Sequence, residues 1–225
     1  MKVIGIKQKI FEKKHTLNDY LTKVSDALSY SPDIVVGPDY SLYFLDSKGH
    51  IQFNKVDEAV KRLKELSRTS KTLIAPGTLP LYLDFEKIAH SAPIFKEGNY
   101  LFSFRKETDV ENSDFATKND LVYERGDSSK NKLFYNGKKI AFEICSDHGK
   151  QLIDKDTFLE IIMAYDDKAG FYLRPNNDNF SRYAIVVDGR KPDVSGFRYD
   201  FEKKKLSFLK EKKINNSLVE FNLKC

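Results

Sequence analysis

A chain of 225 residues, 40% hydrophobic and 13% aromatic, can bury a sizeable core, and at this length one α/β domain over 1–225 is the first expectation. Its net charge of +5 is the small difference between 38 Lys plus Arg and 33 Asp plus Glu spread along the chain, so charge alone implies no nucleic-acid partner. No apolar run approaches the roughly 20 residues of a membrane helix, residues 1–7 are too short and interrupted for a secretory core, and Cys145 and Cys225 make no disulfide framework. A soluble cytoplasmic protein is expected, although a secretion signal of another kind would escape this test.

In chain order, apolar runs alternate with helical periodicity, the pattern of an α/β fold. Val3-Ile4-Gly5-Ile6 starts a strand. Thr16 reads as an N-cap with Asp19 three residues on, and Leu17, Tyr20, Leu21, Val24, Ala27 and Leu28 recur at helical spacing up to Ser31-Pro32. Ile34-Val35-Val36 is the next strand; Val56, Ala59, Val60, Leu63 and Leu66 mark a second amphipathic helix; Thr72-Leu73-Ile74-Ala75 is a buried strand ending at Pro76-Gly77. The style then changes to hairpins, with Glu97-Gly98 and Asn136-Gly137 as turns. Phe158 to Ala164 fits a buried strand or a short helix, since periodicity does not separate them over so short a run. Ala184-Ile185-Val186-Val187 before Asp188-Gly189 is a strand. The lysine-rich residues 202–213, with interspersed acids and alternating apolar positions, read as a solvated hairpin or strand face. No repeat or composition break marks a second domain.

Three of these strands end in residues that carry chemistry. Asp39 follows Ile34-Val35-Val36-Gly37-Pro38, Lys106 follows Asn99 to Arg105, and Cys145 follows Ile140-Ala141-Phe142-Glu143-Ile144. A thiol where a strand turns away projects from a rigid edge, and the next backbone N–H can face a reacting carbonyl. Each residue has a plainer reading: an inert core cysteine, a solvated lysine, a turn aspartate after proline. Asp147 reads as structural, bonding backbone near the Cys145 turn. His148, three positions from the thiol, reads as a structural or substrate-contacting residue rather than its base. Four histidines without ligand-like spacing and one nonterminal cysteine argue against a zinc site.

With Val35-Val36-Gly37-Pro38-Asp39, Phe104-Arg105-Lys106 and Ile144-Cys145-Ser146-Asp147 in this order, the chain resembles the carbon-nitrogen hydrolases of the nitrilase and amidase superfamily. The likeness extends over nearly the whole chain, including the Ala75-Pro76-Gly77-Thr78 strand exit and a late strand reaching Gly189. The resemblance implies an α-β-β-α sandwich with mixed sheets, which stacks into four layers in a homodimer. It implies hydrolysis of a nonpeptide C–N bond in a small amide-type substrate, with no metal and no cofactor; that no nucleic acid and no membrane are partners is expected from the balanced charge and the lack of a long apolar run. On that mapping Cys145 is the nucleophile, Asp39 the proton-transfer carboxylate, and Lys106 with the backbone N–H of Ser146 the oxyanion stabilisers. The sequence departs from the pattern at two places. The usual glutamate is Asp39, shorter by one methylene or about 1.5 Å, and the residues after the cysteine are Asp147-His148-Gly149-Lys150-Gln151. A second glutamate that positions the lysine has no secure match, Asp120 being a stand-in. The alternative is a noncatalytic descendant that keeps the fold as a binding or regulatory module; nucleic-acid binding is weaker, because no strand interleaves aromatic and basic residues.

Overall fold

The computed structural model describes residues 1–12, 15–107, 112–127, 130–150, 156–165 and 181–224. Two βαβ units open the chain. β1 (Lys2–Ile6), β2 (Ile34–Val36) and β3 (Leu73–Ala75) lie parallel and adjacent, connected by α1 (Leu17–Ser29) and α2 (Phe53–Arg68). Thr16 caps α1 as its sequence implies, its hydroxyl accepting from Asp19 N–H at 3.2 Å.

The middle of the chain is antiparallel. β4 (Leu79–Tyr82), β5 (Lys87–Lys96) and β6 (Asn99–Arg105) extend the first sheet, and β7 (Val122–Tyr123) joins its edge after the short helix α3 (Asn112–Lys118). The β5–β6 turn at Glu97 and Gly98 has φ of 51° and 80°, the left-handed pair that matches hairpin twist. β8 (Lys132–Tyr135) and β9 (Lys138–Ile144) form the second hairpin, turning at Asn136-Gly137. Residues 158–164 resolve to a strand, β10 (Leu159–Ala164), lying parallel between β9 and β11 (Tyr183–Asp188). β12 (Asp193–Asp200) and β13 (Lys205–Phe208) complete the second sheet. β14 (Lys212–Lys213) and β15 (Leu218–Asn222) return to the first, where β15 lies antiparallel to β1. Most of residues 202–213 is exposed, the solvated face expected of it. Among the described residues the sheets have nine and six strands.

Strand alternation decides what packs where. Ile4, Ile6, Val35 and Ile74 face α1 and α2, meeting Tyr20, Leu21, Val24, Ala59 and Leu63. Val3, Ile34, Val36, Leu73 and Ala75 face the other way, onto Ile140, Phe142, Ile161, Met163 and Ile185 of the second sheet. The two sheets therefore share one core, and strands buried on both faces read as continuous apolar runs. The described α-helices pack on the first sheet. The outer face of the second collects Ile162, Ala164, Ala184, Val186 and Phe197.

Candidate active site

Register brings the strand ends together. β5 runs antiparallel to β3 with Phe95 opposite Ile74, which carries the earlier residue His90 beyond the C-terminal end of β3. β6 returns along β5 with Arg105 opposite Ser91, so Lys106 emerges beside His90, its N–H donating to the His90 carbonyl at 2.8 Å. Asp39 leaves β2 at the same end. Its Oδ1 accepts from His90 Nε2 at 2.6 Å, from Thr78 Oγ1 at 2.6 Å and from Tyr40 N–H at 2.9 Å.

Close backbone packing makes this loop possible. Gly77, at φ 88°, sits where a Cβ would lie 1.9 Å from the Pro38 carbonyl oxygen, so only glycine lets the β3 exit approach the segment bearing Asp39. Tyr40 takes φ 58° immediately after Asp39 and turns its ring into an aromatic cluster, 4.9 Å from Tyr43, 5.4 Å from Tyr165 and 5.7 Å from Phe115 by centroids. Asp39 itself is fully buried.

Cys145 opens a short 3-10 turn, Cys145–Lys150, directly after β9. Its φ of 47° lies in the left-handed region that costs a non-glycine residue on the order of 1 kcal/mol or more, and such strain concentrates at functional sites. The N–H groups at the start of this turn, Ser146 among them, have no acceptor within it. The Ser146 hydroxyl is buried without a hydrogen-bond partner. Asp147 ties this turn to the Lys106 strand exit by accepting from Glu107 N–H at 2.9 Å, a structural role as its sequence position suggests. Asp147 also acts electrostatically on His90, together with Asp39 and Lys106. The structure thus joins Asp39 to Lys106 through His90, and the Cys145 turn to the Lys106 exit through Asp147.

Electrostatics follow from burial. Lys106 is 1% exposed, and its charge acts on both Asp39 and His90. Burial alone would raise the Asp39 carboxyl; the His90 contact, then the Lys106 charge and the Thr78 hydroxyl, outweigh it and hold the carboxyl below its usual value. Burial lowers His90 below its ordinary value, against the opposing pull of the Asp39 carboxylate. Burial also raises the Tyr43 hydroxyl well above its ordinary value.

One expectation needs correction and several residues were not anticipated. Asp120 is exposed, in the turn after α3 at φ 57°, because its position serves the left-handed backbone there rather than the lysine. The buried acid at the Lys106 exit is Asp147. His90 and Tyr43 carried no signal in sequence, and Thr78 stood out only as the end of the Ala75–Thr78 strand exit: His90 sits inside an apolar strand, and only register takes it to Asp39. The side chain of His148 and all of Cys225 lie outside the described residues. Among the described residues no three His, Cys, Asp or Glu side chains are grouped as a metal would require, and no helix is long and apolar enough to cross a membrane.

Neither a family model nor a curated protein sequence matches the chain. Solved structures do. An amidase from Nesterenkonia sp. AN1 superimposes with a TM-score of 0.71 at 14% identity, over 100% of this chain and 93% of that one. A variant of the same amidase, described as belonging to the nitrilase superfamily, gives 0.73 at 14% identity over 99% and 90%. The chain has the nitrilase fold. A further form of that nitrilase-superfamily amidase, with its cysteine replaced by alanine, was solved with butyramide and matches at 0.71 and 14% identity, over 99% and 90%. The two mixed sheets and the helices on the first are thus a nitrilase arrangement, reached here by a sequence with little residue identity.

Proposed function

We propose that the protein is a divergent carbon-nitrogen hydrolase that cleaves a small amide through an acyl thioester on Cys145. The observation that carries this reading is the Asp39 carboxylate. Oδ1 is saturated by three donors, while Oδ2 is buried with no hydrogen-bond partner in the protein. A buried carboxylate oxygen left unmatched costs about 1–3 kcal/mol or more, and such an atom suits a group that exchanges a proton during reaction.

On this reading the Cys145 sulfur attacks the amide carbon and its proton passes to Asp39 Oδ2. Lys106 and the Ser146 N–H stabilise the oxyanion. The C–N bond breaks as Asp39 returns the proton to the leaving nitrogen; Asp39 then takes a proton from the water that attacks the thioester, and passes it to the Cys145 sulfur as the C–S bond breaks and the acid leaves. A lowered carboxyl is a weak base, so the transfer depends on the Lys106 charge making the thiol more acidic. Support comes from the amidase of the same fold, in a glutamate-to-glutamine variant of which acrylamide has added to the active-site cysteine by Michael addition. A homodimer acting without metal or cofactor belongs to the proposal and rests on the resemblance, and a cytoplasmic location belongs to it on the strength of the sequence composition.

Peptide mass spectrometry after brief iodoacetamide treatment tests it. Cys145 should label faster near neutral pH than Cys225, and butyramide should slow that labelling. Equal or slower labelling of Cys145, unprotected by amide, would mark it as an ordinary buried cysteine and refute the proposal.

A further inference from the structure

The hydrogen bonds behind Asp39 form a chain of three side chains, all buried. Tyr43 Oη lies 2.6 Å from His90 Nδ1, and His90 Nε2 lies 2.6 Å from Asp39 Oδ1. Tyr43 is 3% exposed, and His90 and Asp39 are fully buried. A phenol so placed keeps its proton and donates it, so Nδ1 accepts and Nε2 must carry the ring hydrogen. The imidazole is thereby fixed in one tautomer, aimed at the carboxylate. Nothing else in the aromatic cluster needs a histidine here: a phenyl ring would fill the space without presenting a donor to Asp39.

Resting on the amidase reading above, we propose that His90, oriented by Tyr43, is a positioning residue that clamps the short Asp39 side chain by Oδ1 and keeps Oδ2 available for proton transfer. The shorter acid makes this clamp necessary. An aspartate has one fewer torsion than glutamate and about 1.5 Å less reach, so its carboxylate plane has to be set from behind instead of being adjusted along the chain. Thr78 Oγ1 and Tyr40 N–H hold the same oxygen, yet both come from backbone-proximal groups and leave rotation of the carboxylate to the third contact. The charged and titratable groups acting on His90 are Asp39 and Tyr43 from the loop after β2, Lys106 at the end of β6 and Asp147 in the turn after β9.

Steady-state pH profiles of amide hydrolysis by His90→Ala, His90→Asn and Tyr43→Phe, together with nitrogen-15 NMR of the histidine rings, test the assignment. A carboxylate displaced by about 1 Å costs on the order of 100-fold. His90→Ala should therefore lose about that much in kcat with little change in KM, and its acid limb should move to higher pH as Asp39 loses its strongest donor. His90→Asn retains an amide N–H for Asp39 and should recover a large part of the loss. In the spectra, His90 of the wild type should be in the Nε2–H form near neutral pH, and Tyr43→Phe should let Nδ1 take a proton.

A folded His90→Ala with wild-type kcat and an unmoved acid limb would overturn the proposal. So would a His90→Asn variant no better than alanine, which would mark the ring as filler. If His90→Ala fails to fold, the NMR decides: the opposite tautomer, or ordinary titration near pH 6.5, contradicts the clamp. A wild type without turnover on any amide would sink the hydrolase reading instead, and the tautomer measurement would still judge the Tyr43–His90–Asp39 chain by itself.

Discussion

Asp39 is the residue on which the proposed chemistry turns, and its environment gives its pH behaviour a definite sign. Its folded value lies below the ordinary one near 3.9, so the ionised carboxylate stabilises the fold above that value and the contribution is lost as pH falls through the lower folded value. The acid limb of kcat/KM that belongs to Asp39 is accordingly expected below about pH 4, as a stopped assay across pH 3–7 would reveal. Asp39→Glu should restore the usual acid yet impair turnover by about 100-fold, because the added methylene displaces a carboxylate already clamped on Oδ1; improved turnover would show that the site has decayed from a glutamate enzyme. His15 offers a second residue-scale expectation. Burial against Phe44, at 5.6 Å between ring centroids, lowers it to about 4. The unfolded chain binds that proton first, near pH 6.5, so stability should fall between about pH 6.5 and 4, by an amount on the order of 3 kcal/mol. Urea unfolding of wild type against His15→Phe at both ends of that window measures it; parallel pH dependence of the two would contradict it.

Elements were legible where a local rule acts alone. The Thr16 cap, both amphipathic helices, the parallel strands and the Glu97-Gly98 and Asn136-Gly137 turns follow from spacing and turn chemistry within a dozen residues. Thr16→Ala should cost about 1 kcal/mol in urea unfolding, and no loss would mean that the α1 start is held by packing alone. β4 was not legible because Pro80 interrupts it, and β15 because its partner β1 lies at the opposite end of the chain. The same distinction holds in the site. Asp39, Lys106 and Cys145 each end an apolar run and so announce themselves, whereas His90 announces nothing: it is one residue of a buried strand, and its meeting with Asp39 depends on how β5 registers against β3. Gly77 joins the two levels. Gly77→Ala should lose activity more than stability would explain, since the added Cβ pushes on the Pro38 carbonyl and moves Asp39; thermal unfolding alongside kcat separates the two effects.

At the scale of the whole molecule, the proposed function depends on two sheets facing at close range, since Asp39 and Lys106 leave one sheet and Cys145 leaves the other. Gly5 marks that approach: a Cβ there would lie 2.4 Å from Val194 Cγ1, a stiff β-branched side chain of the facing sheet. Gly5→Ala should destabilise by about 1–3 kcal/mol through overpacking and should open the gap across which the thiol and the carboxylate must cooperate. The measurement that tests the central claim most directly is release of ammonia from a panel of short aliphatic amides by the full-length protein, with Cys145→Ala and Asp39→Ala assayed beside it. The account predicts release by the wild type alone. Release undiminished in either variant, or none from the wild type on any amide of the panel, would contradict it.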